Sequence, residues 1–394
     1  MKVLILSTYE HTGGAAIAAS RLMSALRKNG VEVTMLCRRN ITWGPRRLRK
    51  QSWTSIMERL VIWVHSGFNA KSLWTTDIAM YGQDVTKTKE YEEADVIHLH
   101  WVNQGFLSFD TIEKIVKSGK RVVWTMHDAW NSTGCCHLTL GCEKYKVGCE
   151  QCEHYDCRRY WQRKHDIYSQ SDIHFVTCSK WLKSAVDSSS LMNGQKVTAI
   201  PNPIDSEEYS PKGKAETRKS LNLPTDKQIV LFAALNVNDA FKGMKYLVDA
   251  MQMLDSHVAV MTLGNNGEAV ASLLGDKECY NQGYVSDKRV LQMIYNAADV
   301  FLLPSLSENL PNTIMEAMAC GTPCVGFEVG GIPEMIDHKQ NGYVARYKDA
   351  ADLAEGIRYV LDNREELGSN AREKVMREYR EEIVAKKYIE IYNA

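Results

Sequence analysis

Short apolar strands and amphipathic helices alternate along this chain, and the alternation occurs in two series. The first series has predicted strands at residues 2–6, 31–36, 95–100, 121–126, 174–178 and 197–200. The second has them at 229–234, 257–263, 299–303 and 323–327. Most neighbouring strands are separated by enough chain for a crossover helix, which is typical of parallel sheets. The pattern therefore predicts an α/β protein with two Rossmann-like domains that face each other across a cleft.

The predicted domain boundary lies near residue 205. A chain of 394 residues is longer than one hydrophobic core usually grows, about 250–300 residues. Pro201, Asn202 and Pro203 interrupt the strand pattern, and we interpret the polar stretch 206–227 as the link between the domains. From Ala350 onward, charged amphipathic helix is predicted to the end of the chain.

The charge balance argues against one class of partner. Lys and Arg number 48, and so do Asp and Glu, so no global positive field exists that would hold nucleic acid. The first apolar run has only the four residues 3–6, too few for a signal peptide. No stretch approaches the ~18 apolar residues of a spanning helix. We therefore expect a cytoplasmic protein with no nucleic-acid partner.

Two glutamates stand out in the segment from Pro304 to Pro323. Glu308 follows a predicted strand, and Glu316 lies in a helix predicted to begin near Pro311. The free amides at the start of such a helix attract a diphosphate. Glu316 has apolar neighbours, so its carboxylate needs a partner, and ribose hydroxyls or a buried Lys or Arg would both serve.

A lysine beside a glycine follows the first strand of the second series. Lys242 and Gly243 lie six and seven residues after Asn236, where a diphosphate clamp is one interpretation. A solvated surface lysine is the other.

Together these motifs resemble the retaining glycosyltransferases of family 4, which have the GT-B architecture, and the resemblance covers nearly the whole chain. The segments that carry it are Gly13-Gly14, 95–100, 125–128, 179–182, 201–205, Lys242-Gly243, 308–316 and 330–334.

The resemblance implies roles for individual residues. The residue matching Glu308 contacts the sugar of the donor, the one matching Glu316 holds the ribose, and the one matching Lys242 binds the diphosphate. The histidine matching His127 lies beside the transferred sugar, and it joins Glu308 and Lys242 as a predicted catalytic residue. The remaining predicted donor-binding residues are Gly13, Gly14, Asn236, Gly243, Asn309, Leu310, Pro311, Asn312 and Thr313.

Two departures from the family pattern are visible. The family usually has an arginine shortly before the lysine, and here Asn236 or Asn238 is the candidate for its place. The frequent Phe-Gly after the first glutamate is replaced by Asn309-Leu310-Pro311, which we interpret as a variant loop.

The implied reaction moves a hexose-type sugar from a UDP- or GDP-sugar to a hydroxyl of a glycan or lipid-linked glycan, in a setting such as bacterial surface polysaccharide synthesis. Catalysis is expected to need no metal, because Lys242 and helix amides can stabilise the departing diphosphate and no Asp-x-Asp is present. Residues 1–205 are expected to bind the acceptor and 206–375 the donor. The helix 376–394 is expected to cross back to the first domain.

Six cysteines lie between Cys135 and Cys157. The set Cys136, Cys142, Cys149 and Cys152 ends in C-x2-C and predicts a structural zinc site. Cys135 or Cys157 could replace one of these ligands, and reduced thiols or disulfides remain open. The pattern resembles a family 4 subgroup with a cysteine-rich insertion, here residues 135–157, after the His-Asp pair.

A basic run precedes a tryptophan-rich amphipathic stretch. The run comprises Arg38, Arg39, Arg46, Arg47, Arg49 and Lys50, and the stretch comprises Trp53 and residues 56–63. This combination is typical of contact with an anionic membrane surface, here the inner face of the cytoplasmic membrane. A solvated helix packed over a core is the alternative.

Three other functions remain to be distinguished. A GT-B nucleotide-sugar epimerase would change the donor without an acceptor. A dinucleotide-dependent oxidoreductase is disfavoured, because the loop after the first strand lacks G-x-G-x-x-G. A non-catalytic zinc-bearing binding module would need neither glutamate.

Overall fold

The chain forms two compact units. The computed structural model describes residues 1–38, 47–70, 72–152 and 156–394, with residues 47–52 described by their backbone only. The first unit comprises Met1–Pro203 together with Val384–Ala394, and the second comprises Ile204–Ile383.

The first unit contains a sheet of six parallel strands in the order β2-β1-β3-β4-β5-β6. The strands are β1 (Lys2–Ser7), β2 (Glu32–Cys37), β3 (Val96–Leu99), β4 (Arg121–Met126), β5 (Ile173–Thr177) and β6 (Lys196–Ala199). The helices are α1 (Gly14–Lys28), α2 (Arg47–His65), α3 (Ser72–Thr75), α4 (Lys89–Glu93), α5 (Phe109–Val116), α6 (Cys157–Tyr168) and α7 (Lys180–Asp187).

Both faces of this sheet are covered. Leu4 and Leu6 of β1 lie in one hydrophobic cluster, whereas Val3 and Ile5 lie in another. Successive side chains of a strand point to opposite faces, so a run of apolar residues is what a sheet buried on both sides requires.

The second unit repeats this architecture with the strand order β12-β11-β10-β7-β8-β9, again parallel. Its strands are β7 (Gln228–Asn236), β8 (Val258–Asn265), β9 (Cys279–Asn281), β10 (Val300–Leu303), β11 (Cys324–Phe327) and β12 (Gly342–Ala345). Its helices are α8 (Lys214–Ser220), α9 (Met244–Gln252), α10 (Gly267–Leu273), α11 (Lys288–Ala297), α12 (Asn312–Ala319), α13 (Ile332–Met335), α14 (Ala350–Asp362) and α15 (Arg364–Glu378).

The last helix, α16 (Glu381–Asn393), begins in the second unit and continues into the first. Its residues Val384, Tyr388 and Tyr392 pack in the same cluster as Val3 and Ile5 of β1. No helix among the described residues is both long enough and apolar enough to span a bilayer.

The strands predicted from the sequence are all present, and two further strands were missed. Both missed strands, β9 and β12, are the edge strands of the second sheet and contain three and four residues. β9 has the sequence Cys-Tyr-Asn and β12 the sequence Gly-Tyr-Val-Ala, so neither contains the run of large aliphatic residues that identifies a buried strand.

The interpretation of residues 206–227 as a link was wrong. These residues belong to the second unit, and they include α8. Two of their charges belong to an internal network around Asp299, whose carboxylate accepts hydrogen bonds from Lys214 Nζ at 2.7 Å and Arg218 at 2.5 Å. The backbone N–H of Ile229 donates to the same carboxylate at 2.8 Å. Part of this polar stretch therefore belongs to an ion network around a buried carboxylate, and not to a linker.

We predict that Asp299→Ala destabilises the second unit by about 3–5 kcal/mol, because Arg218 would remain buried without its anion. The measurement is the urea unfolding midpoint. Glu278→Ala is the matched control, since Glu278 forms an exposed ion pair with Lys227 at 2.8 Å. Its midpoint should equal that of the wild type. Equal midpoints for both variants would contradict the role of Asp299.

Candidate active site

Loops at the carboxyl ends of β7 and β10 meet in the second unit. The loop after β7 contains a turn at Ala240–Lys242, and Leu306 N–H after β10 donates to Phe241 O at 2.7 Å. Gly243 has φ +74°, and a Cβ there would lie 1.9 Å from Pro304 O. A glycine is therefore required for the two loops to approach this closely.

This approach pairs two of the predicted catalytic residues. Lys242 Nζ donates to Glu308 Oε1 at 2.6 Å, and both side chains are partly shielded from solvent. Burial lowers the pKa of Lys242, but the Glu308 carboxylate raises it by more, so the net shift is upward. Lys242 therefore remains a cation held in a fixed position, with ammonium protons to spare for a further anion.

Glu316 lies on α12 and is 7% exposed. Its Oε2 accepts a hydrogen bond from the Tyr295 hydroxyl at 2.6 Å. Burial and the Glu316 charge raise the pKa of Tyr295, so the phenol stays protonated and donates. Tyr295 was missed by the sequence analysis, because a tyrosine in an amphipathic helix carries no local sign of its partner.

The helix α12 begins at Asn312, as predicted near Pro311, and its N-cap residue Pro311 makes no side-chain cap. Proline has no side-chain acceptor, so the first amides of α12 are suited to receive an anion. Of the predicted residues beside it, Leu310 and Pro311 are buried and Thr313 is half-buried.

Asn236, at the end of β7, accepts one hydrogen bond from its own loop and one from Asn266. Its Oδ1 accepts from Asn266 Nδ2 at 2.9 Å and from Asn238 N–H at 3.1 Å. Asn236 and Asn238 therefore form one turn, in the region where the family arginine was expected.

A glycine pair after β11 packs against the first glutamate. Gly331 N–H donates to Asn309 O at 2.8 Å, and a Cβ on Gly330 would lie 1.7 Å from Glu308 O. The position of Glu308 is therefore fixed from both sides, by Lys242 through its side chain and by Gly330 through its backbone.

His127 belongs to the first unit, where it ends a row of histidines. Its Nε2 lies 3.0 Å from His100 Nδ1, and its Nδ1 lies 3.4 Å from Cys178 Sγ. His98 contacts Thr125 Oγ1 at 2.8 Å and Tyr392 at 2.7 Å. Burial lowers the pKa of His98 to about 3 and that of His127 to about 4, so both are neutral at physiological pH.

Asp128, beside His127, is held by three donors. Trp101 Nε1 and His137 Nδ1 contact Oδ2 at 2.9 and 2.8 Å, and Trp130 N–H donates to Oδ1 at 2.9 Å. Burial alone would lower the pKa of His137, but Asp128 raises it overall, and the pair favours the charged state. His137, nine residues further along the chain than Asp128, is thus a partner of the His-Asp motif.

Gly13 and Gly14 lie at the start of α1. Gly13 has φ +89° with open space around its Cα, so its backbone conformation rather than a close contact requires glycine. The structure therefore brings Lys242, Glu308, Gly330 and Gly331 together in the second unit, whereas His127, Gly13 and Gly14 belong to the first.

Of the four cysteines predicted to bind zinc, Cys142 and Cys149 do not join the cluster of thiols in this segment. Cys142 is exposed, and Cys149 Sγ accepts the N–H of Gly134 at 3.2 Å. The sulfurs of Cys135, Cys136 and Cys157 lie within 4.8 Å of one another. The predicted set of four is therefore corrected, because the chain between Cys136 and Cys149 turns Cys142 toward solvent.

Models of two protein families match the chain. The model described as Glycosyltransferase Family 4 matches residues 12–208, and that described as Glycosyl transferases group 1 matches residues 226–363.

Three relatives illustrate the range of similarity. A glycosyltransferase of Methanocaldococcus jannaschii is 32% identical over 55% of this chain and 59% of its own length. The N-acetyl-alpha-D-glucosaminyl L-malate synthase of Bacillus anthracis is 23% identical over 100% of this chain and 97% of its own. The N,N'-diacetylbacillosaminyl-diphospho-undecaprenol alpha-1,3-N-acetylgalactosaminyltransferase of Campylobacter jejuni is 32% identical over 44% of this chain and 46% of its own length. The chain thus matches about half the length of the first and third.

Two solved structures have the same fold. The sucrose-phosphate synthase of Thermosynechococcus elongatus has a TM-score of 0.71 at 21% identity, covering 100% of this chain and 98% of that one. Anabaena HepE, in complex with UDP, has a TM-score of 0.64 at 15% identity, covering 99% of both chains. Two six-stranded parallel sheets with helices match these structures, which confirms the predicted GT-B fold class.

We predict that Gly330→Ala destabilises the second unit by about 2–5 kcal/mol, because the new Cβ would both enter a left-handed conformation and displace the Glu308 backbone. Gly283→Ala is the matched control. Gly283 has φ +62°, close to the +60° of Gly330, but open space around it. Gly283→Ala should lower the free energy of unfolding only by the conformational strain, about 1–2 kcal/mol. Urea unfolding measures both, and equal losses would show that the Glu308 contact is unimportant.

Proposed function

The chain belongs to glycosyltransferase family 4, and we propose that it transfers a hexose-type sugar, with retention of anomeric configuration, from a nucleotide-diphosphate donor to a hydroxyl of a glycan or lipid-linked glycan. The observation that carries this proposal is the Lys242–Glu308 contact of 2.6 Å. It combines a fixed cation with a carboxylate at the carboxyl edge of a parallel sheet, where such sheets bind their ligands.

The second unit is proposed to bind the donor. The Lys242 ammonium keeps its contact with Glu308 and donates to a diphosphate oxygen, while the first amides of α12 receive the other phosphate oxygens. Glu316 accepts from the ribose hydroxyls, and the Tyr295 hydroxyl holds its carboxylate in position at 2.6 Å. Glu308 accepts from a hydroxyl of the sugar.

The proposed chemical step follows from the charges. The bond between the anomeric carbon and the diphosphate oxygen breaks, and its electron pair stays on the diphosphate. Lys242 and the α12 amides stabilise that growing negative charge. The acceptor hydroxyl attacks the anomeric carbon from the face that the diphosphate leaves, and its proton passes to the departing phosphate oxygen. No protein nucleophile and no catalytic metal take part in this scheme.

The first unit is proposed to bind the acceptor and to present His127 to the transferred sugar. A neutral imidazole can donate or accept a hydrogen bond without attracting the diphosphate, and burial keeps His127 neutral, with a pKa of about 4. Gly13 and Gly14 give the loop after β1 the freedom to approach the sugar.

We propose UDP, with GDP as the alternative, as the nucleotide of the donor. HepE, which shares the fold, was solved with UDP. The Campylobacter relative acts on a sugar linked to diphospho-undecaprenol, as its name states, which supports a lipid-linked acceptor. We propose surface polysaccharide synthesis as the setting.

We predict that Lys242→Met lowers kcat about 10²–10³-fold, the usual cost of removing one preorganised group that stabilises transition-state charge. Glu316→Gln should raise the donor KM tenfold or more, since a hydrogen bond to a charged group contributes about 1.5–3 kcal/mol. Release of UDP or GDP from a panel of nucleotide sugars, with undecaprenyl-diphosphate glycans as acceptors, measures both.

The controls are Lys288→Met and Glu278→Gln in the same unit, where both side chains are exposed. They should match the wild type. If Lys242→Met turned over as fast as Lys288→Met, the proposed donor site would be wrong. A changed sugar that is still attached to its nucleotide would identify an epimerase.

A membrane surface is the proposed location, at the inner face of the cytoplasmic membrane. On α2, Trp53, Ile56, Leu60, Trp63 and Val64 are 39–59% exposed, and we call these five residues the apolar face of α2. Their spacing of three and four places them on one side of the helix. This face points to solvent, not to a core.

The opposite side of α2 explains this orientation. Glu58 is fully buried, and its carboxyl group accepts the N–H groups of Ile78, Met80 and Tyr81 at 2.9–3.1 Å. A buried carboxyl group with three donors fixes which side of the helix faces inward.

The charged part of the membrane prediction is only partly described. Arg39 and Arg46 lie outside the described residues, as do the side chains of Arg47, Arg49 and Lys50. Arg38 donates to Ser55 Oγ at 3.0 Å and to Gln104 O at 2.7 Å. Its guanidinium therefore hydrogen-bonds within the protein, and it is half-buried.

We predict that the wild type binds vesicles containing phosphatidylglycerol and that Trp53→Ser with Ile56→Ser weakens binding at least tenfold. A large apolar side chain contributes about 1.5–3 kcal/mol when fully buried. Cosedimentation measures the bound fraction. Leu273→Ser, which removes an equally exposed apolar residue of the second unit, should bind like the wild type. Wild-type protein that stays in solution would refute the membrane surface.

A further inference from the structure

We propose that Cys135, Cys136, Cys152 and Cys157 bind one structural Zn²⁺. The sulfurs of Cys135, Cys136 and Cys157 lie within 4.8 Å of one another, and Cys152 joins them through its contact with Cys157. Cys157 Sγ is 2.9 Å from Cys135 Sγ and 3.2 Å from Cys152 Sγ. This set differs from the one predicted from C-x2-C spacing, and it does not depend on the proposed glycosyl transfer.

The distances fit a tetrahedral thiolate site. Zn–S bonds of about 2.3 Å place neighbouring sulfurs about 3.8 Å apart. The two contacts of Cys157, 2.9 and 3.2 Å, are shorter than this, so a bound zinc would move these sulfurs apart by about 0.6–0.9 Å. Cys135 and Cys157 are buried, whereas Cys136 and Cys152 are half-buried, so the site is closed on its inner side in the manner of structural zinc.

Local backbone structure brings the four residues together. A Cβ on Gly134 would lie 2.3 Å from Cys157 O, so only a glycine lets the segment before Cys135 reach the start of α6. Cys157 is the first residue of α6, where the helix dipole favours a thiolate. The Cys149 sulfur accepts the Gly134 N–H and is not among the sulfurs that lie close to one another, so it is left out of the set.

The surroundings compensate negative charge. Four thiolates and Zn²⁺ carry a net charge of about −2, and binding releases the thiol protons to solvent. Lys164 lies on α6, seven residues after Cys157, and is fully buried. Its Nζ lies 3.5 Å from the Trp130 ring centroid and donates to Thr133 O at 3.0 Å and to Trp130 O. The helix that begins at Cys157 thus carries a buried lysine that can compensate this charge.

The site would fix the segment that follows the His-Asp motif. Cys136 precedes His137, whose imidazole contacts Asp128 at 2.8 Å. Lys164, from the same helix as Cys157, holds the carbonyls of Trp130 and Thr133. Zinc at the four thiols would therefore join α6 to the loop that carries Asp128, next to His127.

The test uses the full chain purified under reducing conditions. Elemental analysis should find about one zinc per chain, the stoichiometry of a single structural site. Co²⁺ in place of zinc should give the intense thiolate charge-transfer and visible d–d bands of tetrahedral coordination. The spectrum needs no variant, so it tests the site even if a cysteine variant fails to fold.

The variants distinguish the two ligand sets. Cys135→Ser and Cys157→Ser should lower metal content tenfold or more, whereas Cys142→Ser, which removes the exposed thiol of the same segment, should retain it. Loss of metal in Cys142→Ser with retention in Cys157→Ser would overturn the proposed set. Metal-free wild type whose mass after alkylation shows a Cys135–Cys157 disulfide would overturn the site itself.

Discussion

The common direction of the strands is the constraint on which the rest of this molecule depends. In each unit all six strands are parallel, so all their carboxyl ends lie at one edge of the sheet. Every loop that leaves a strand must therefore start at that edge. Lys242, Glu308 and the Gly330–Gly331 pair come from three different loops, and they meet because β7, β10 and β11 are neighbours in the second sheet.

Close backbone approach turns that shared edge into a fixed site. At Gly243 and Gly330 a methyl group would fall within 2 Å of a carbonyl oxygen of the next loop. The loops can thus support one another without long side chains between them, and Glu308 is held both by its backbone and by Lys242. Such support keeps charged groups in position before a ligand arrives, which is what electrostatic catalysis requires.

Buried polar groups organise the first unit in a comparable way. Tyr388 and Tyr392 of α16 reach Thr125 and His98 beneath the row of histidines. Glu58 anchors α2 from the inside, and the apolar face of that helix consequently points outward. Burial and the Asp77 charge raise the pKa of Glu58 to about 8, so its carboxyl group is mostly protonated at neutral pH. With three backbone donors it still constrains the helix more than an apolar contact does, because losing buried hydrogen bonds is costly.

Periodicity in the sequence determined the two α/β domains, the strands inside each sheet and the start of α12 at Asn312, because these follow from interactions between residues close in the chain. The motifs also identified Lys242, Glu308, Glu316 and His127 as candidates. Tertiary structure alone decided that Lys242 pairs with Glu308, 66 residues away, and that Tyr295 holds Glu316. It also decided which thiols gather, that Lys214 and Arg218 serve Asp299, and where the edge strands of the second unit lie. These features depend on packing between distant segments, for which local sequence patterns carry no information.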